Sequence, residues 1–170
     1  KKKKALIIIP ARGGSKRIKN KNIKNFVNKP LIEHTINYAY KNIHLVNRIL
    51  VSTDSEKIQK IANNFKKKLS PFLRPKNISK SISSDYGFVK HSLNWLKLNE
   101  NFIPEIIIIL RPTTPLRKKN LLKNMLRDFT HKKYSSLRSA RNVEHMNPFW
   151  MYKISKNKKL VEAIKNKNFF

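Results

Sequence analysis

Short apolar runs alternate along this chain with segments whose apolar residues recur at helical spacing. The apolar runs have the length of buried strands and lie at residues 5–9, 48–51, 69–73 and 105–110. The helical segments lie at residues 31–43, 54–67, 86–98 and 122–129. Such alternation is typical of a parallel sheet with helices packed on its faces. We therefore predict an α/β fold with a mostly parallel sheet.

Local signals predict several further features of this fold. Thr53 is followed three residues later by Glu56, the spacing of a capping box, which predicts the start of the second helix. The run at residues 105–110 is the clearest apolar run, which predicts a buried central strand. Weaker patterns predict strands at residues 135–140 and 150–154. Because neither an internal repeat nor a linker is visible, we expect a single domain over residues 1–170.

The chain is strongly basic, with 39 Lys and Arg residues against 9 Asp and Glu residues and a formal net charge of +30. Such a charge predicts attraction to polyanions, which include nucleic acids, acidic membranes and nucleotide phosphates. The Lys residues are scattered evenly from end to end, whereas functional basic patches are usually clustered. The scatter favours compositional bias over a dedicated polyanion-binding surface.

Composition also excludes several kinds of site. The chain has no Cys, so disulfides, thiolate metal sites and thiol catalysis are excluded. Its five His residues show no ligand-like spacing, and we assign no metal ligands. No apolar run has the length of a membrane span. The run after the basic residues 1–4 is too short for a signal peptide, so we expect a cytoplasmic protein.

Three loops that directly follow apolar strands carry the candidate chemistry, because ligands of open parallel sheets bind at the carboxyl ends of the strands. The first loop, residues 11–22, contains Gly13 and Gly14, two of only three glycines in the chain. Glycines permit positive φ and a close approach of backbone amides to phosphate, while the neighbouring cations supply charge. Its spacing fits neither a Walker loop nor a dinucleotide fingerprint. A solvated turn is the alternative interpretation.

The motif IPARGGSKRIKNKNI, at residues 9–23, strongly resembles the opening of the acylneuraminate cytidylyltransferases. The resemblance continues through NKPLIEHTINYA, ILVSTDSEKI, LRP and LRPTTPLR, in the same order, over about the first 117 residues. It implies a three-layer, Rossmann-like nucleotide-diphospho-sugar transferase fold. It also implies transfer of CMP from CTP to a nonulosonic, sialic-acid-like sugar, with release of pyrophosphate, for cell-surface glycans such as lipopolysaccharide.

The resemblance implies roles for residues of all three loops. Arg12, Lys16 and Lys21 would be catalytic through their contacts with the CTP phosphates. Nucleotide-binding roles fall on Ala11, Arg12, Gly13, Gly14, Ser15, Lys16, Lys21, Asn22, Arg74, Ser83 and Ser84. Sugar-binding roles fall on Arg111, Thr113, Thr114 and Arg117. Arg111 stands where sialic-acid enzymes usually have Gln, which suggests a differently decorated sugar or another carboxylate contact.

The resemblance also implies Mg²⁺ as cofactor and a homodimer as the assembly. The family's metal-binding aspartates lie in an Ile-Asp-Ile-Asp-Thr stretch near its C-terminus, which residues 1–170 do not contain. We therefore expect this domain to lack its C-terminal metal-binding and dimerisation segment. The partners that we expect are CTP and a nonulosonic acid.

The sequence leaves two alternative functions open, and two roles for Asp54. CMP-Kdo synthetases begin with a similar Ile-Pro-Ala-Arg but continue differently from Gly13-Gly14-Ser15-Lys16, which favours the nonulosonic branch. A basic nucleic-acid-binding module is a second alternative, although core packing explains most of the aromatic residues. Asp54 follows a strand, where it either orients a ligand or metal ion or caps a helix.

Overall fold

The computed structural model describes residues 3–15, 18–80, 82–132 and 134–140, and the backbone of residues 152–154 and 160–162. The strands are β1 (Ala5–Pro10), β2 (Asn25–Phe26), β3 (Lys29–Pro30), β4 (Arg48–Ser52), β5 (Ile106–Ile109), β6 (Tyr152–Ile154) and β7 (Leu160–Glu162). The α-helices are α1 (Leu31–Lys41), α2 (Glu56–Phe65), α3 (Asp85–Glu100) and α4 (Leu121–His131). Single 3₁₀ turns lie at Lys21–Ile23, Ile43–Leu45 and Lys76–Ile78.

The chain forms two compact units, Lys1–Asp128 and Phe129–Phe170. The second unit contains the antiparallel pair formed by β6 and β7. The first contains a three-stranded sheet in the order β4-β1-β5, in which both pairs are parallel. The predicted parallel α/β fold is thereby confirmed. That residues 1–170 form one domain stays a prediction.

Strand β1 lies at the centre of this sheet and is buried on both faces. Leu6 and Ile8 point to one face, where they pack with Leu50 and with Phe88 and Leu96 of helix α3. The residues between them on β1 point to the opposite face and are also fully buried. Helix α1 contacts β1 and buries its own apolar side. Full burial of both faces makes the sheet the middle layer of three.

The prediction that residues 105–110 form the central strand is wrong for the described sheet. β5 lies at its edge, and Ile107 and Ile109 are 39% and 37% exposed. A continuous apolar run shows that a strand can be buried, but it carries no information about strand order.

The predicted strand at residues 69–73 reduces to a single parallel bridge between Thr53 and Leu73. The segment lies beside β4, since the Val51 amide donates to the Leu69 carbonyl. Pro71 has no amide hydrogen, and the Ser70 amide donates to the Asn63 side chain instead. A regular ladder therefore cannot continue.

The capping box predicted at Thr53 is also wrong, because α2 starts at Glu56 with Ser55 at its N-cap and no capping bond from a side chain. Thr53 is fully buried in its bridge to Leu73, and its hydroxyl accepts a hydrogen bond from the Ser55 amide. The position occupied by Thr53 is therefore the end of a strand.

The C-terminal strand predictions have mixed outcomes. Residues 134–140 form no strand, and all of them are exposed. They offer little apolar surface for a sheet to bury. The strand predicted at residues 150–154 is present as β6 over its last three residues, and residues 150 and 151 lie outside the described residues.

No helix among the described residues combines the length and the apolar character that crossing a membrane requires.

An ion pair joins the start of β4 to the end of α3. Arg48 donates from Nε and Nη2 to the two carboxylate oxygens of Glu100, at 2.8 Å each, and Nη2 also donates to the Lys68 carbonyl. The hydrogen bonds from Arg48 lower the pKa of Glu100, and partial burial opposes that shift. The contact ties the sheet edge to the helix that covers it.

We expect Glu100→Gln to lower the free energy of unfolding at pH 7 by up to about 1 kcal/mol. Because the folded-state pKa of Glu100 is depressed, its contribution is full above the unfolded-state pKa and is lost as pH falls through the folded-state value. Urea unfolding of both proteins at pH 7 and near pH 3 should show the difference shrink in acid. In an Arg48→Gln background the substitution should lose this pH dependence, and an unchanged dependence would contradict the assignment.

Candidate functional site

A cavity of about 280 Å³ opens where β1 and β5 end. Described residues from three segments line it: residues 10, 12, 15, 21 and 22 after β1, residues 74, 78–80, 83–85 and 88 around the start of α3, and residues 111–113 after β5. Because both strands run in the same direction, their carboxyl ends meet at this edge of the sheet. This is the edge at which open parallel sheets bind ligands.

The described lining of the cavity is strongly cationic. The basic side chains in the lining are Arg12, Lys21, Arg74, Lys80 and Arg111. Against them stands one carboxylate in the described lining, that of Asp85, which pairs with Arg111. Concave surfaces with an excess of one charge concentrate ligands of the opposite charge. The cavity is therefore suited to a polyanion small enough to enter it, such as a nucleoside triphosphate.

The loop after β1 is fixed by the carboxylate of Asp54. The Gly13 amide donates to Asp54 Oδ1 at 2.8 Å, and the same oxygen lies 4.0 Å from Arg74 Nη2. Asp54 therefore links two segments that line the cavity. Of the two roles left open for Asp54, the helix cap is excluded, because Ser55 is the N-cap residue.

The two glycines of this loop differ in their surroundings. A Cβ atom on Gly13 would lie 2.9 Å from the Cβ of Ser55, whereas one on Gly14 would have no atom within 4 Å. Neither glycine has positive φ, so this pair does not use the left-handed backbone that glycine permits. Gly13 is required because the loop approaches the start of α2 closely. Neither glycine lines the cavity.

Asn22 stabilises the loop after β1 through a hydrogen bond to its backbone. The 3₁₀ turn Lys21–Ile23 follows Asn20, whose φ of 57° is left-handed, a conformation that Asn adopts more readily than most residues. Asn22 is buried, and its amide donates to the Arg12 carbonyl at 2.9 Å. The turn thus brings Lys21 and Asn22 to the cavity and holds the backbone of Arg12.

Arg74 is the most buried cation of the lining, with only 6% of its surface exposed. Its Nε donates to Ser79 Oγ at 3.0 Å, and its guanidinium lies 5.6 Å from the ring centre of Phe88. Burial lowers the pKa of Arg74, Asp54 raises it, and nearby Arg12 lowers it further. A second negative charge in the cavity would offset both unfavourable contributions.

The loop after β5 is held by Arg117. This side chain donates from Nη1 to Thr35 Oγ1 at 3.2 Å and from Nη2 to the Arg111 carbonyl at 2.6 Å, and its guanidinium lies over the Tyr38 ring. Burial lowers the pKa of Arg117, and Tyr38 opposes the shift. Arg117 contacts the back of the loop and does not line the cavity. Thr114 also lies outside the lining, and its amide donates to the Arg111 carbonyl.

The structure brings together only part of the site predicted from sequence. The predicted residues that line the cavity are Arg12, Ser15, Lys21, Asn22, Arg74, Ser83, Ser84, Arg111 and Thr113. Ala11 is buried, and its amide donates to the Ser52 carbonyl. Lys16 lies outside the described residues.

Three polar or charged residues of the described lining were not among the predicted site residues. Ser79 orients Arg74, Lys80 adds a cation, and Asp85 pairs with Arg111. Ser79 and Lys80 fall where the sequence departs from the family pattern, so the resemblance assigned nothing there. The signal that was available for Asp85 was its place beside Ser83 and Ser84, just before a helical segment.

The sheet and its strand-end loops define an α/β protein with a cationic cavity at the carboxyl ends of its strands. A family model for cytidylyltransferases matches residues 6–169. This chain belongs to the cytidylyltransferase family.

Curated relatives name more specific activities. The chain is 38% identical over 142 residues to a pseudaminic acid cytidylyltransferase of Campylobacter jejuni (serotype O:23/36), a match that covers 84% of this chain and 60% of the relative. It is 35% identical over 114 residues to an N-acylneuraminate cytidylyltransferase of Escherichia coli O18:K1:H7, a match that covers 67% and 25%. A CMP-N,N'-diacetyllegionaminic acid synthase of Legionella pneumophila is 34% identical over 119 residues, with 70% and 50% covered. The chain thus spans about 60% of the length of the pseudaminic acid enzyme.

A solved structure shows the same fold. CMP:2-keto-3-deoxy-manno-octonic acid synthetase in complex with CTP superposes with a TM-score of 0.60 at 22% identity, over 76% of this chain and 48% of that one. At this identity the likeness concerns the fold alone.

We expect Gly13→Ala to destabilise the protein by about 1–3 kcal/mol, because the new methyl group overlaps Ser55 near the backbone. Gly14→Ala, where the methyl group meets open space, is the matched control and should change stability little. Thermal unfolding of both variants measures the difference.

A second substitution tests the cause of this effect. Ser55→Gly in the Gly13→Ala background removes the contacting atom and should restore most of the lost stability, since Gly at an N-cap costs only a few tenths of a kcal/mol. Equal effects of the two alanine variants would contradict the close-approach assignment.

Proposed function

We propose that the protein to which this chain belongs transfers CMP from CTP to a nonulosonic, sialic-acid-like sugar and releases pyrophosphate. The observation that carries the proposal is the cavity lined by Arg12, Lys21 and Arg74 at the strand ends of a cytidylyltransferase fold. Its support on the sugar side comes from the relatives, whose names specify pseudaminic, acylneuraminic and legionaminic acids.

In the proposed reaction the anomeric hydroxyl of the sugar attacks the α-phosphate of CTP, and pyrophosphate leaves. Phosphoryl transfer of this kind depends mainly on positioning and on charge stabilisation. Arg12 and Lys21 neutralise the phosphates, and Lys16 of the same loop is proposed to do so as well. The hydrogen bond from Asn22 to the Arg12 carbonyl supports this role, because it fixes the backbone that carries the cation.

Arg74, Ser83 and Ser84 are proposed to bind the nucleoside. The guanidinium of Arg74 is buried, and its Nε is taken by Ser79, which leaves its Nη groups for Asp54 and the cavity. A pre-oriented fork of this kind suits the adjacent acceptors of a pyrimidine edge. On the sugar side, Arg111 and Thr113 are the proposed contacts, and Thr114 and Arg117 support their loop.

The described residues do not fit a metal site held by the protein. No group of three His, Asp or Glu side chains converges within the described ranges. Asp54 is engaged by Gly13 and Arg74, and Asp85 by Arg111. Magnesium remains part of the proposal through the family resemblance, and no step is derived through it. From the same resemblance we propose a homodimer that supplies cell-surface glycans such as lipopolysaccharide. From the short apolar run after residues 1–4 we propose that it acts in the cytoplasm.

The full-length protein, incubated with CTP and Mg²⁺, should release pyrophosphate when given a nonulosonic acid. A panel of pseudaminic, N-acetylneuraminic, N,N'-diacetyllegionaminic and 2-keto-3-deoxy-manno-octonic acids, with ATP and UTP in parallel, measures both specificities. A product that forms only with the octonic acid would transfer the proposal to CMP-Kdo synthesis. Release with none of the acids would contradict it.

Lys21→Ala should raise the KM for CTP by about 10- to 100-fold, the loss expected for one charge-assisted contact to phosphate. Lys97→Ala removes an exposed cation of α3 outside the cavity and is the matched control for net charge. Initial rates of pyrophosphate release at varied CTP check the prediction. Equal effects of the two variants would show that Lys21 acts only through overall charge.

A further inference from the structure

Asp85 and Arg111 form an ion pair at the wall of the cavity. Asp85 is the first residue of α3, and Arg111 follows β5. Their side chains are 46% and 52% exposed, so solutes can reach both groups. A ligand in the cavity would therefore meet this pair directly.

The backbone and the side chain of Arg111 are held with different strength. Its carbonyl accepts hydrogen bonds from Arg117 Nη2 at 2.6 Å and from the Thr114 amide at 3.2 Å. Arg117 is itself anchored to Thr35 of α1. The Arg111 guanidinium, in contrast, is held by a half-exposed ion pair, a kind of contact that contributes little net stability. The guanidinium can therefore change its partner while its backbone stays in place.

We propose that Asp85 is a positioning residue that holds the Arg111 guanidinium until the carboxylate of an acidic sugar displaces it. The inference rests on the proposed function, because that function supplies a substrate with a carboxylate. A guanidinium binds carboxylates through charge-assisted hydrogen bonds, so the carboxylate of the substrate can replace that of Asp85. Because the acid must displace Asp85, the ion pair opposes binding of the acid by the small free energy that the pair contributes.

Release of Asp85 costs little because of its position in the fold. It lies in the first turn of α3, where the partial positive charge of a helix N-terminus stabilises a carboxylate. Lys80 also lines the cavity and adds positive charge to the same wall. The freed carboxylate thus stays in a favourable environment after the exchange.

The experiment uses the full-length protein with Asp85→Asn, which keeps the shape of the side chain and removes its charge. Rates of pyrophosphate release are measured at saturating CTP with varied pseudaminic or N-acetylneuraminic acid. We expect the KM for the acid to fall about two- to fivefold, the range set by a half-exposed ion pair, with a smaller change in the KM for CTP. Asp85→Glu, which retains the charge, should keep the KM of the wild type.

Two controls separate the exchange from a general effect of charge. Asp128→Asn breaks a pair of similar exposure, with Arg127, outside the cavity lining, and should leave the KM for the acid unchanged. In an Arg111→Gln background, Asp85→Asn should have no further effect on that KM.

An unchanged or increased KM for the acid in Asp85→Asn overturns the inference while the proposed function stands. An equal decrease in the Arg111→Gln background also overturns it, since the effect would then not pass through Arg111. A wild-type protein that releases no pyrophosphate with any acid removes the proposed function, and the inference with it.

Discussion

The burial of β1 between two parallel neighbours is the constraint on which the site depends. Both faces of β1 are covered, and Ile7 pairs with Ile49 on one side and with Ile108 on the other. Because the three strands run in one direction, the loops after Pro10, Ser52 and Ile109 all begin at the same edge. The cavity is a consequence of that alignment.

Asp54 fixes the relative positions of the backbone and the charged groups at this edge of the sheet. Its carboxylate holds the Gly13 amide and lies near the buried guanidinium of Arg74. Burial and the nearby Arg12 both disfavour the charge on Arg74, and Asp54 offsets only part of that cost. An anion that enters the cavity therefore relieves a repulsion that the fold maintains in its absence. Sites of this kind stabilise charge without having to reorganise when the ligand arrives.

The sequence predicts the elements of the fold better than it predicts how they are arranged. Strand β1 and helix α1 follow from apolar patterns that are local and strong. The order of the strands does not, because β5 is as apolar as a central strand and yet lies at the edge of the described sheet. The strand predicted at residues 69–73 fails for a different reason. Pro71 interrupts the backbone hydrogen bonds of a segment whose apolar side chains alone predict a strand.

Similar limits apply to the site. The scarcity of glycine in the chain draws attention to Gly13, but the structural reason for a glycine there is Ser55. Ser55 is 42 residues away in the chain and so outside any local signal. The resemblance predicts a sugar contact at Arg117, and the structure adds partners that the motif does not contain: Thr35 and Tyr38 of α1. The role of a side chain depends on which elements its loop packs against. A motif in one loop does not contain that information.

The cavity also bears on the large positive charge of the chain. Lys is far commoner than Arg in this sequence, yet Arg12, Arg74 and Arg111 all line the cavity and Arg117 supports it. Arg presents several donors in a rigid plane, which can be oriented by neighbours such as Ser79 and Thr35, whereas Lys is a mobile point charge. A bias towards Lys raises the general potential without fixing any geometry. Recognition of a particular anion therefore depends on the few cations that line or support the cavity, Lys21 among them, and exposed lysines outside it, such as Lys97, can vary without altering it.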